Sequence, residues 1–106
     1  SKLEQICLQR HLGFEVQQTM RASAAPSAPE WQQRWEATVA SLGLPVHHLP
    51  SGAGHDAMKL HDLMPQAMLF VRGQNAGISH NPLESTTSDD MQLAVEAFSH
   101  LIHQLA

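Results

Sequence analysis

Apolar residues recur along this chain at helical and alternating spacings by turns, and that pattern predicts the order of elements. Leu3, Ile6 and Cys7 share one face of a helix over residues 2–12, which Gly13 is placed to end. Phe14, Val16 and Met20 then fall on alternate positions, with Gln18 the polar break, as in a half-buried strand. Residues 22–29 are rich in Ala, Ser and Pro without periodicity and read as a connector and domain boundary. Ser27 and Glu30 have capping-box spacing with Pro29 in the first turn, and Trp31, Trp35, Val39 and Leu42 form a stripe that Gly43 closes. A short strand is expected over 46–49. The glycine-rich turn Pro50-Ser51-Gly52-Ala53-Gly54-His55-Asp56 leads into a helix through Leu63. Residues 67–71 are continuously apolar, as in a strand covered on both faces, and the polar loop 72–79 delivers His80-Asn81-Pro82. The last helix starts near Thr87 or Ser88 with Asp89 and Asp90 in its first turn. Its apolar face is expected to hold Met91, Ala94, Val95, Phe98, Leu101, Ile102 and Leu105.

Strands alternating with helices predict an α/β fold with a small, at least partly parallel sheet. Three short strands make a thin sheet whose edges need covering by other chain. In such folds ligands sit beyond the C-terminal ends of the strands. The loops 50–55 and 72–82 both leave strands in that sense, so parallel neighbours would bring His55 and His80 into one crevice. Glycines there let backbone approach a ligand, and free N–H groups near His55 suit a carboxylate or developing oxyanion.

Composition narrows the partners. With 42% hydrophobic and 15% charged residues the chain belongs to the globular range rather than the disordered one. A net charge of -4 with only 6 Lys+Arg leaves no cationic footprint for nucleic acid. The longest apolar run is far too short to span a bilayer, and no signal-peptide pattern opens the chain. A single cysteine, Cys7, excludes an internal disulfide and fits a reducing cytoplasm.

The 8 histidines are the compositional oddity. His47 and His48 would point to opposite faces of a strand. His100 and His103 have helical spacing but no acidic partner between them, and read as a solvated face. The two tryptophans are core anchors. No activated nucleophile is visible: Ser51 is one residue out of frame for a Gly-x-Ser-x-Gly elbow, and Cys7 lies on an apolar helix face.

Leu49-Pro50-Ser51-Gly52-Ala53-Gly54-His55-Asp56-Ala57, followed by Gly77-Ile78-Ser79-His80-Asn81-Pro82-Leu83-Glu84, resembles the C-terminal segment of the N-carbamoyl-L-amino-acid hydrolase and allantoate amidohydrolase family. That family lies within the two-metal aminoacylases and carboxypeptidases. The motifs occur in the family's order, and the likeness covers nearly the whole chain. It implies a partial three-layer α/β/α sandwich, with residues 1–22 ending a lid and dimerisation domain and 23–106 forming the C-terminal part of the catalytic domain. It also implies that His80 binds one of two divalent ions (zinc, manganese, cobalt or nickel), while Gly52, Gly54, His55 and Asp56 wall the substrate site. The implied reaction is metal-assisted hydrolysis of a ureido or amide C–N bond in a small molecule, by a cytoplasmic homodimer. Family members are several times longer. The bridging aspartate, the other ligands and the glutamate base have no counterparts here, so the isolated chain is expected to hold metal weakly or not at all and to be inactive. The rival expectation is a non-enzymatic α/β relic, or an association module that joins copies through exposed apolar faces.

Overall fold

The computed structural model describes all 106 residues. Helix α1 spans Lys2–Gln9, α2 Pro29–Ser41, α3 Ala57–Leu60 and α4 Ser88–Leu105, with one 3-10 turn at Asn75–Gly77. No strand is present. The expected sheet, and with it the α/β/α sandwich, is therefore wrong for this chain. Residues 14–20, 46–49 and 67–71 are neither helical nor paired with one another. The physical reason is that a strand is defined by its partner: backbone N–H and C=O groups must exchange bonds with a neighbour. Alternation and apolar runs report which side chains seek burial and say nothing about where the backbone finds a ladder. Residues 14–20 are exposed throughout, while Ala67 and Leu69 lie half-buried against the helices.

The helix ends follow local chemistry. Ser1 and Glu4 form a reciprocal capping box at the start of α1. That helix stops three residues earlier than expected, because His11 (φ 53°) takes the left-handed position in place of Gly13. Leu12 N–H then reaches Cys7 O at 2.9 Å and His11 N–H reaches Leu8 O, the Schellman pattern. Gly43 (φ 74°) ends α2 in the same way, as its position in the sequence predicts. The start of α2 differs from expectation. Ala28 occupies the cap with no side-chain bond, and Pro29 takes the first turn, so Ser27 and Glu30 form no capping box. Helix α3 is one turn long, shorter than the helix expected through Leu63. Helix α4 matches closely: Thr87 Oγ1 accepts from Asp90 N–H at 3.0 Å and donates to Asp90 Oδ2 at 2.7 Å.

Only α2 and α4 pack against each other. Trp35, Ala97 and Leu101 form the core, with Trp31, Leu42, Ala67 and Leu69 against it. The face expected of α4 splits here: Leu101 turns inward, whereas Val95 and Ile102 remain 62% and 60% exposed. With 5 of 106 residues buried and a radius of gyration of 19.6 Å, the chain is extended. A compact domain of this length measures about 13 Å. No helix is long and apolar enough to cross a membrane.

Candidate functional site

The two glycine-containing loops meet. The His55 and His80 rings stand edge to face, with centroids 5.7 Å apart and planes at 80°. No sheet brings them there; each loop is shaped by its own turn bonds.

In the first loop, Ser51 Oγ donates to Ala53 O at 3.0 Å and lies 2.9 Å from His55 Nε2. Met58 and Lys59 then donate backbone N–H groups to His55 O and Asp56 O, starting α3. Asp56 occupies the cap of α3, but its exposed side chain makes no capping bond. Gly52 and Gly54 both have room for a side chain: a Cβ at Gly52 would meet nothing within 4 Å, and one at Gly54 only Met58 Sδ at 3.7 Å. Neither adopts the left-handed backbone that favours glycine. Any need for glycine at these two positions is therefore a matter of what approaches them, not of the turn itself.

In the second loop, His80 adopts φ 56°, uncommon for a residue with a Cβ. Glu84 steadies it by accepting the His80 N–H on Oε2 at 2.8 Å and the Ser79 hydroxyl on Oε1 at 3.4 Å. Asn81 Oδ1 accepts Leu83 N–H at 2.9 Å, closing the turn through Pro82. The backbone of His80 is thus fastened while its side chain stays exposed.

The loop is also tied across its feet. Gln74 N–H donates to Ser85 O at 2.8 Å, Ser85 Oγ to Gln74 Oε1 at 2.9 Å and Asn75 Nδ2 to Leu83 O at 2.7 Å. Thr86 Oγ1 reaches Arg72 O at 2.7 Å, and Arg72 Nε lies 3.7 Å from Asp90 Oδ1 at the start of α4. Sequence reasoning missed Ser51 and Glu84 as supports. The available signal was spacing, since each lies four residues from the histidine it serves.

A divalent ion needs more donors than this. No group of three His, Cys, Asp or Glu side chains is placed to hold one, whereas zinc sites draw three or four ligands from protein. The residues of this chain therefore do not fit a complete metal site by themselves, since the two imidazoles that meet here fall short of the ligands such an ion draws even when counted together. Three of the other six histidines are engaged elsewhere. His48 Nε2 lies 3.0 Å from Glu36 Oε1, His100 Nδ1 2.9 Å from Ser41 Oγ, and His103 Nδ1 2.7 Å from Ser99 O. An open apolar groove of about 470 Å³ runs along α4 between Val95, Phe98 and Ile102, and none of the candidate site residues lines it.

Comparison with known proteins places these loops in context. The chain is 32% identical over 105 residues to an N-carbamoyl-L-amino acid amidohydrolase of Geobacillus stearothermophilus, covering 99% of this chain and 25% of that protein. It is 32% identical over 101 residues to an allantoate amidohydrolase of Bacillus subtilis (strain 168), covering 95% and 24%. A probable allantoate deiminase of Oryza sativa subsp. japonica is 37% identical over 113 residues, covering 96% and 23%. The chain thus spans about a quarter of the length of the curated relatives it matches. No solved structure matches it. The model of peptidase family M20/M25/M40 matches residues 6–104, and with both loop motifs inside that span the chain belongs to this hydrolase family.

Proposed function

We propose that this chain is the C-terminal portion of a cytoplasmic amidohydrolase that cleaves the ureido or amide C–N bond of an N-carbamoyl amino acid or of allantoate. The observation that carries the reading is the 5.7 Å approach of His55 and His80, which joins the two motifs into one place. The named activities of the relatives support the substrate class. In this reading His80 offers one imidazole to a divalent ion, and the turn through Gly52, Gly54, His55 and Asp56 forms the substrate wall. The ion, when bound, supplies Lewis acidity and an activated water. The remaining ligands and the general base come from residues other than these 106, as does most of a lid domain to which residues 1–22 belong. What this chain does is present His80, with its backbone fixed by Glu84, and line one side of the site.

The test is hydrolysis of N-carbamoyl amino acids and allantoate by the purified chain with manganese or zinc, beside His80→Ala. No turnover is expected from either alone. Turnover is expected when the rest of the Geobacillus relative is supplied, and it should vanish with His80→Ala. Turnover by the chain alone would show that it assembles a metal site unaided, and the reading of an incomplete site would be wrong.

A second reading, an association module, is favoured by the exposed face of Val95, Phe98 and Ile102 on α4. Its occupant would be a second copy of this chain, and sedimentation of the wild type beside Ile102→Asp separates the two forms.

A further inference from the structure

Ser51 Oγ lies between two partners, 3.0 Å from the carbonyl oxygen of Ala53 and 2.9 Å from His55 Nε2. A hydroxyl has one proton to give, and a carbonyl oxygen can only accept. The Ser51 proton is therefore committed to Ala53, and the lone pairs of Oγ are left for His55. Nε2 must then carry the hydrogen, and in a neutral imidazole Nδ1 must carry the lone pair.

The same reasoning gives the opposite answer on α4. Ser41 Oγ donates to Thr38 O at 2.7 Å, so His100 Nδ1, 2.9 Å from that Oγ, carries a hydrogen. His103 Nδ1 lies 2.7 Å from Ser99 O and must donate as well. His48, whose Nε2 lies 3.0 Å from Glu36 Oε1, shares the Nε2–H form, but of the two histidines that meet at the loops His55 is the one whose bonds leave Nδ1 as an acceptor.

We propose that Ser51 is a positioning residue that holds His55 as the Nε2–H tautomer, so that Nδ1 accepts a hydrogen bond from an N–H of a ureido or amide substrate. The proposal rests on the amidohydrolase reading above. A ureido group presents N–H donors beside its carbonyl, and a site that took it up with its own donors facing them would leave both sides unpaired. An imidazole in the other tautomer would do just that. Ser51 prevents it from four residues away, and the adjoining His80 ring, 5.7 Å off centroid to centroid, keeps the His55 imidazole beside the second motif.

The test is nitrogen-15 NMR of the imidazole rings in the full 106-residue chain, at about two pH units above the ordinary imidazole value so that the rings are neutral. In the wild type, His55 is expected as a single Nε2–H tautomer, with His100 and His103 as Nδ1–H. In Ser51→Ala, His55 should become a mixture of tautomers with faster exchange of its ring hydrogen, and Ser51→Thr should restore the single form. His100 and His103 should be unchanged in both variants, which distinguishes loss of positioning from loss of fold. An Nδ1–H form of His55 in the wild type, or an unaltered tautomer ratio and exchange rate in Ser51→Ala, overturns the assignment of Ser51. With N-carbamoylglycine as the probe, the His55 Nδ1 resonance should move in the wild type and move less in Ser51→Ala. A stationary Nδ1 overturns its role as the acceptor. None of these readings requires turnover, so failure of the hydrolysis assay tells against the proposed function and leaves the Ser51 result to stand or fall separately.

Discussion

Trp35 and Phe98 meet edge to face, with ring centroids 4.8 Å apart and planes at 80°, across the only helix pair that packs in this chain. Trp35 is buried, whereas Phe98 is half exposed, so the contact is the margin of the core as well as its largest aromatic pair.

Trp35→Ala removes the biggest member of a three-residue core and should destabilise the α2–α4 pair by about 3–5 kcal/mol. That is comparable with the total stability of a small domain, so loss of cooperative unfolding is the expected outcome. Near-ultraviolet circular dichroism during urea titration checks it. Trp35→Phe, which keeps an aromatic ring, should retain a transition.

Thr38 is fully buried on α2, and its Oγ1 has no hydrogen-bond partner. Thr38→Val keeps the shape and removes the unpaired hydroxyl, so it should stabilise the chain by about 1 kcal/mol. A higher urea midpoint at unchanged slope is the expected reading; a lower midpoint would mean that the hydroxyl has found a partner.

How much of this was legible beforehand depends on the kind of signal. Helices were legible where the stop or start is local: Gly43 ends α2 and Thr87 begins α4 as their positions predict. His11 displaced Gly13 because a Schellman end requires one left-handed residue at a set offset, and the helix had already closed two residues earlier. The sheet failed for a different reason. Val46 and Phe70 have strand-like neighbours in sequence, but pairing is a relation between distant segments that no single segment encodes. The site fared better. His55 and His80 were expected together by way of parallel strands, and they do lie together, yet local turn bonds through Ser51 and Glu84 shape the two loops instead. Their functional roles were legible only through resemblance to a family, since one imidazole before Asn-Pro is too common a pattern to stand alone.

Gly77 (φ 71°) and Gly52 should behave differently on substitution by alanine. At Gly77 no atom lies within 4 Å of an added Cβ, so the cost is the left-handed backbone alone, about 1 kcal/mol. At Gly52 neither crowding nor backbone opposes the change, and stability should hold within about 0.5 kcal/mol. Thermal unfolding of the two variants measures the difference. Loss of turnover in Gly52→Ala when the rest of the Geobacillus relative is supplied, at unchanged stability, would mark that backbone as a ligand contact.

Glu84→Ala should loosen the backbone at His80 without unfolding the helices. It removes the acceptor of the His80 N–H and of the Ser79 hydroxyl from a residue whose φ of 56° needs support. Amide hydrogen exchange at His80 should quicken by about threefold or more, the scale of one lost hydrogen bond to a charged group on an exposed loop. Exchange in α4 beyond its first turn should be unchanged.

The cross-ties between residues 72–75 and 83–86 turn the second loop into a hoop whose mooring is the first turn of α4, through Arg72 and Asp90. His80 therefore rides with α4. The feet of the hoop are held at the start of that helix, by Thr86 on Arg72 and by Asp90 beside Arg72, with no hydrogen bond to residues 10–28. The first turn of the long helix is thus the mooring of the site, and a change at Thr87 or Asp90 is a change at the foot of the loop that carries His80.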